Sequence, residues 1–296
     1  MLTNQKSASH YLGGMANDME PGTGSVFYLN GSSGSATNTG LTADSPLLTM
    51  TSALALCTND ADDYIIVLDY YQPAGETWPV AVNKSKVHII GVPGAGAQWP
   101  TMVPPGDTAS MNITALGVEV ARLSIQGGAT AGGIHIGAAV WGIKIRDCWF
   151  GVTGASQDGI RDVAPFDAIY LSVEGCRFGQ LLTRDGVRLE HNATRSSIGN
   201  AMTGEGNLFD RVPGVAINLV GECSEIGIYN NVIAVPANTA GGAITIADGS
   251  ADCIINGNFA FFGDTTMGNN PYTDSSTAGW NNWGLNYQSD GAVMPT

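Results

Sequence analysis

Charge is scarce in this chain. Asp, Glu, Lys and Arg make up 13% of its 296 residues, about half the usual share. Cations are scarcer still: 12 Lys and Arg stand against 26 Asp and Glu, a formal net charge of −14. A nucleic-acid binder needs a basic stripe to release counterions from phosphate, and a few scattered cations in an acidic chain exclude that role. Anionic membrane surfaces are disfavoured for the same reason, and the acidity serves solubility. No apolar run approaches the ~18 residues of a spanning helix. The opening residues, MLTNQKSASHYLGG, lack the apolar segment of a secretory signal. The expectation is a protein made in a cytoplasm that stays there or leaves within a larger particle. Cysteine is limited to five residues, an odd number that implies no disulfide framework. His10, His88, His135 and His191 are scattered without metal spacing. Asp60, Asp62 and Asp63 come nearest to a calcium-type run but fall in a turn. No phosphate-cradling or nucleophile motif sits in a suitable context. Neither metal nor cofactor is expected.

What the chain has instead is glycine, 40 residues of it, roughly twice the usual ~7%, and a repeat. Residues 142–150 show it best: Ile143 and Ile145 alternate, a turn follows, then Cys148 and Phe150. The figure recurs as Val173, Cys176, Phe178, as Ile228, Asn231, Ile233, and as Ile255, Asn258, Ala260, with looser copies at Ile125 and Ile198. The marks at 125, 145, 173, 198, 228 and 255 lie 20 to 30 residues apart, a mean of 26. Such a period is the signature of a solenoid. Short strands begin after a small residue and alternate, so one side chain points in and the next out. The inward set is Val, Ile and Leu. The outward set is Glu119, His135, Tyr170, Arg188, Asn218 and Thr245, expected as one polar face with rungs ~4.8 Å apart. Cys148 and Cys176 should stack as reduced, half-buried thiols. Asn231 and Asn258, at the same place in later copies, are expected at the left-handed bends between strands.

Residues 1–24 have no periodicity and read as an arm or tether. Ser25–Asn30 is a strand, Gly31–Thr42 a loop, and Ser45-Pro46 a helix-start pair for a short apolar helix from Leu47 to Cys57. Phe27-Tyr28-Leu29-Asn30, Gly34, Asn38, Gly40, Ser45-Pro46, Thr49 and Ser52-Ala53 resemble the opening of right-handed parallel β-helix proteins of the pectate-lyase-like superfamily. The resemblance implies an all-β, single-stranded parallel β-helix over 25–262, with an entry strand and capping helix in 25–60. That helix would cover the open core and unpaired edges of the first rung. Residues 263–296 have too few aliphatics for another rung and are expected to cap the end or bind a partner. Trp280 to Tyr287 resembles closing segments of some phage virion β-helix proteins.

Because such proteins often bind or cut polysaccharides, carboxylates come next; a glycosidase needs two. The densest acidic group is Asp158, Asp162, Asp167, Asp185 and Glu190. Asp158 and Asp185 each precede a Gly-Ile or Gly-Val strand start, and Glu190 shares a face with Arg188. Asp158, Asp185 and Glu190 with Arg188 as an anion clamp would make an acid/base site. Read structurally, Asp before Gly is a turn residue and Glu190 a solvated charge. Among the aromatics, Trp149, Trp280, Trp283 and Tyr287 are the candidate partner contacts, Trp149 because it alternates with inward Cys148 and Phe150. With the resemblance to phage β-helix proteins, these features set two expectations. One is a homotrimeric virion protein that decorates or cements a capsid, bound to the major capsid protein or another virion protein, or that forms a short spike; it would be located on the virion and not be an enzyme. The other is a tailspike-type hydrolase or lyase acting on host surface polysaccharide.

Overall fold

The computed structural model describes residues 24–93, 99–151, 154–163, 165, 167–236, 242–262, 271–277, 280–288 and 291–293. The expected arm over 1–24 lies, apart from Gly24, outside the described residues. From Val26 onward the chain winds into a right-handed parallel β-solenoid with almost no helix. Its walls are three sheets of ten, eight and nine strands. One turn reads Ile134–Ile136 in the second sheet, Lys144–Arg146 in the first, Trp149–Phe150 in the third, then Ile160–Asp162 back in the second.

Hydrophobic ladders hold the turns in register. In the first sheet Val120, Ile145, Val173, Ile198, Ile228, Ile255 and Trp283 are successive Cα partners. In the third sheet Ile125, Phe150, Phe178, Phe209, Ile233 and Ala260 are. Ile125 therefore belongs to another column; the first-sheet mark of its turn is Val120, preceded by Ile89 and Ile65. The two columns are only five residues apart along the chain, joined at a tight corner where Arg122 takes φ 58°, so a period search slips easily from one to the other. Each fully buried aliphatic in these ladders contributes roughly 1.5–3 kcal/mol. The rings of Phe150, Phe178 and Phe209 stack face to face, with centroids 5.0 and 4.5 Å apart. They press on the backbone of the second sheet: a Cβ on Gly159 would lie 2.6 Å from the Phe178 ring, and one on Gly186 2.6 Å from Phe209.

At the corner between the first and third sheets runs an amide ladder. Asn207 Nδ2 donates to Asn231 Oδ1, Asn231 Nδ2 to Asn258 Oδ1 and Asn258 Nδ2 to Asn286 Oδ1, each at 2.9 Å. Each acceptor oxygen also takes the backbone N–H of the Asn before it. Cys148 and Cys176 hold the same column in earlier turns, buried and reduced. The left-handed residue is the neighbour, Asn230 at φ 57° and Gly257 at φ 72°. Asn231 and Asn258 thus point into the wall rather than forming the bend.

The capping helix α1 spans Met50–Leu56 and buries Met50, Ala53 and Leu54 over the first turn. It begins later than Ser45-Pro46 because Thr49 is the N-cap, accepting the Ser52 N–H. Glu76 takes the Met50 and Thr51 N–H groups and the Tyr70 hydroxyl, occupying donors that a helix start leaves open. At the other end the solenoid does not stop near Phe262. Tyr272–Asp274, Asn282–Trp283 and Asn286–Gln288 extend the second, first and third sheets by one more turn, and Gly291–Val293 folds back antiparallel. This turn is built without aliphatics: Tyr272 and Asn286 are buried, and Trp283 donates to Asp274 Oδ2 at 2.7 Å.

Candidate functional site

The outward column of the second sheet reads Asn112, His135, Arg161, Arg188, Asn218, Thr245 and Thr273. His135, Arg188, Asn218 and Thr245 stand together as the sequence suggests. Glu119 and Tyr170 do not join them. Glu119 lies on the first sheet, between His88 and Lys144. Tyr170 sits at a corner with φ 54° and is half exposed. The Glu119 displacement follows from the slipped phase that placed Ile125 in the wrong sheet, whereas Tyr170 lies at the corner after the short strand Ala168–Ile169, outside the second sheet.

Around Arg161 and Arg188 the four candidate acid/base residues do meet, in an interlocked charge network. Asp158 and Asp185 occupy equivalent corners in successive turns, each just before the glycine that makes room for a phenylalanine. The Asp185 N–H donates to Asp158 Oδ1 at 3.1 Å. Arg184 grips Asp158 with two nitrogens, Nε at 2.8 Å and Nη2 at 2.5 Å, a bidentate geometry that fixes the guanidinium plane. Arg188 bridges Asp185 Oδ2 at 2.7 Å and Glu190 Oε1 at 2.5 Å. Asn218 Nδ2 donates to Asp185 Oδ2 and the Val215 N–H to Asp185 Oδ1. Arg161 donates to Gln157 Oε1 at 3.0 Å and stands 3.8 Å from Asp158. Its Nε is buried without a hydrogen-bond partner.

The electrostatics of the cluster divide its members into fixed and presented groups. Asp158 and Asp185 are fully buried and saturated by arginine and backbone donors. Burial pushes the Glu190 carboxyl up, but the hydrogen bond and charge of Arg188, with Arg161 and Arg184 behind, hold it below the usual range. Burial, then the charge of Arg161, pushes the His135 imidazole down to about 4; it is neutral near pH 7, and its Nε2 accepts the Gly132 N–H. Asp162 points into the wall and receives the Glu190 and His191 N–H groups at 2.5 and 3.2 Å. Burial raises its carboxyl to about 6 against those bonds. The groups presented to solvent are the guanidiniums of Arg161, Arg184 and Arg188 and the carboxylate of Glu190, each partly exposed.

Arg161 and Arg184 were not singled out in the sequence. The signal for Arg161 is there: Gly159-Ile160-Arg161 repeats Gly186-Val187-Arg188. Arg184 has no such mark, because its role comes from a corner residue reaching back across one turn.

A family model described as "Protein of unknown function (DUF1565)" matches residues 32–289. The chain belongs to this DUF1565 family. No curated protein matches it. Among solved structures it is similar to an alginate lyase from Paenibacillus sp. str. FPU-7, at 14% identity and TM-score 0.55, over 81% of this chain and 96% of that one. A rhamnogalacturonan lyase matches at 12% identity and TM-score 0.48, over 92% of this chain and 89% of that one. A pectate lyase matches at 13% and 0.42, over 86% and 78%. At such identities the likeness to the alginate lyase is one of fold alone, the right-handed parallel β-helix.

The aromatic contact candidates separate in this DUF1565 chain. Trp149 and Tyr287 fall in one outward column of the third sheet, which reads Trp149, Arg177, Leu208, Val232, Phe259 and Tyr287. Arg177 lies over the Trp149 ring, 6.0 Å from its centroid. Trp280 is 90% exposed. Trp283 turns inward and packs half-buried against the core, so it closes the last turn.

Proposed function

We propose that this chain binds polysaccharide along the outer face of its second sheet, with Arg161, Arg184, Arg188 and Glu190 as the centre of the site and His135 and Asn218 at its edges. The carrying observation is the interlocked network itself. It presents planar donors and one carboxylate acceptor on adjacent rungs, each pinned by a neighbour. A sugar ring offers hydroxyls that need donors and acceptors at fixed positions. A site whose side chains are already held loses little entropy on binding. Side chains on a stacked sheet also keep their spacing better than side chains on loops.

The same geometry favours recognition over hydrolysis at this site. A glycosidase requires a carboxylic acid kept protonated beside the leaving oxygen. Here Glu190 is held ionised, Asp158 and Asp185 are sealed in, and Asp162, the carboxyl with the raised pKa, faces backbone amides inside the wall. For a chain displayed on a virion, the setting expected from the sequence, the ligand would be a host surface glycan.

The test is affinity electrophoresis and calorimetry of the full chain against a panel of neutral and acidic polysaccharides, with reducing-end and unsaturated-sugar assays in parallel. Wild-type protein should bind at least one member, and Arg161→Gln should weaken that binding at least about tenfold, since a charge-assisted hydrogen bond contributes ~1.5–3 kcal/mol. Unchanged affinity in Arg161→Gln, or no binding by the wild type, refutes the site. Chain cleavage lost in Glu190→Gln would replace recognition with catalysis.

A further inference from the structure

The three outer faces of the solenoid differ in kind. The second sheet's outward column is polar from Asn112 to Thr273. The first sheet's carries His88, Glu119, Lys144, Ser172 and Ser197 along its middle turns. The third sheet's is apolar in its second half: Leu208, Val232, Phe259 and Tyr287 succeed one another without a polar break, each about 40% exposed. On the same face Ala234 and Phe261 are Cα partners one residue pair further along the strand, and the Phe259 and Phe261 rings lie 6.0 Å apart. From Leu208 to Tyr287 the column takes three steps of ~4.8 Å, a strip of roughly 14 Å, with Arg177 and then Trp149 beyond its end. Uninterrupted exposed apolar strips of a few hundred Å² mark interaction sites in soluble proteins.

We propose that a second copy of this chain docks on the outer face of the third sheet. Charge identifies the occupant. Two copies that each carry −14 repel wherever acidic surface meets acidic surface. The third-sheet strands from Thr101 to Gln288 contain two outward charged residues, Arg177 and Asp210, and these neutralise one another at 3.1 Å. Asp210 is also held by Arg211 at the next corner, at 3.1 Å, so this face carries no net negative charge on a strongly acidic molecule, and like can meet like. A basic partner would be drawn instead to the acidic surface elsewhere. Shape agrees, because a flat strip with one repeat distance is complementary to itself. A standard interface needs about 800 Å² per partner, so the strip forms the apolar centre and the polar residues beside it the rim. This docking face is independent of the glycan site, which lies on another wall.

The experiment is sedimentation of the full chain over a micromolar concentration series. Wild type is expected to self-associate. Val232→Thr combined with Phe259→Thr keeps β-branched or small polar groups on the strands and should raise the dissociation constant at least about tenfold, with the circular dichroism spectrum and unfolding midpoint retained. Leu208→Lys, at the edge of the strip, gives the same readout if the double variant folds poorly. Ile254→Thr, the equivalent change on the first sheet, should leave association unchanged. A wild type that stays monomeric throughout overturns the proposal. So does association that survives the third-sheet changes, or that Ile254→Thr weakens equally.

Discussion

Replacing Asn231 by Ala should cost this protein about 2.5–7.5 kcal/mol, although it touches neither a charge nor the hydrophobic ladders. The side chain is fully buried and makes four hydrogen bonds. Its Oδ1 accepts the Asn207 N–H and Asn207 Nδ2, and its Nδ2 donates to Asn258 Oδ1 and the Ile198 carbonyl, all between 2.9 and 3.0 Å. Ala leaves the Asn207 N–H buried and orphaned, at about 1–3 kcal/mol, and weakens three further groups that keep or share other partners, at roughly 0.5–1.5 kcal/mol each. Against a typical total of 5–15 kcal/mol, that is a large fraction. Urea unfolding followed by circular dichroism measures it. The midpoint should fall, and because a solenoid is stabilised between neighbouring turns, the slope should fall too as the turns beyond Asn231 detach first. Asn231→Asp sharpens the test. It keeps the acceptor but places a second oxygen 2.9 Å from Asn258 Oδ1, so it should also destabilise at neutral pH and recover in acid as the carboxyl gains a proton. A loss below about 1 kcal/mol for Asn231→Ala, or an Asp variant as stable as wild type at pH 7, would show that the amide ladder decorates the corner rather than holding it.

Asp162 supplies a pH dependence of unusual sign. Its carboxyl is raised from 3.8 to about 6 in the folded protein, so the native state binds the extra proton, and this group's contribution to stability falls as pH rises from about 4 to 6, by roughly 3 kcal/mol; the difference between wild type and Asp162→Asn, titrated over that window, should show the slope, and parallel curves would refute it. Glu119 acts in the opposite sense. Burial raises its carboxyl, but hydrogen bonds from His88 and Arg146 outweigh that and hold it at about 2, so the stability it confers is complete above pH 4.5 and is lost as pH falls toward 2; Glu119→Gln should remove this acid-sensitive part of the unfolding profile. Arg184→Ala strips the bidentate partner from fully buried Asp158 and should destabilise by about 3 kcal/mol, the low end for a broken buried pair because the Asp185 N–H still reaches it; a shift in the thermal midpoint too small to resolve would place the network at the surface.

The solenoid was legible because its signal is repeated. Inward Ile145, Val173, Ile228 and Ile255 mark one column, and Cys148, Cys176, Asn231 and Asn258 another. What escaped the sequence has a physical reason in each case. Ile125 belongs to a neighbouring sheet one tight corner away. The last turn uses Tyr272 and Trp283 where earlier turns use Ile244 and Ile255, so hydropathy does not see it. Helix α1 starts where a side chain can cap it, and Pro46 cannot. At the site, Asp158, Asp185, Arg188 and Glu190 could be grouped because Asp-Gly-apolar recurs. Arg184, which locks Asp158, could not, since its contact crosses 26 residues from a loop position without periodicity.

The phenylalanine stack sets a rule of construction for the whole tube. Where the third sheet sends in Phe178 or Phe209, the opposite wall carries Gly159 or Gly186, with no room for a methyl. Two turns on, the wall carries Ala216 and Ala243 in the glycine position, and the ring gives way to Ile233 and then Ala260. Where the ring is present the opposite wall must be glycine, and where the ring is gone that wall carries alanine, so the two walls change together. A turn is therefore interchangeable with another only as a whole. Moving a strand from an early turn to a late one would bring a ring without its gap, or a gap without its ring, and the mismatch would fall directly behind Asp158 and Asp185.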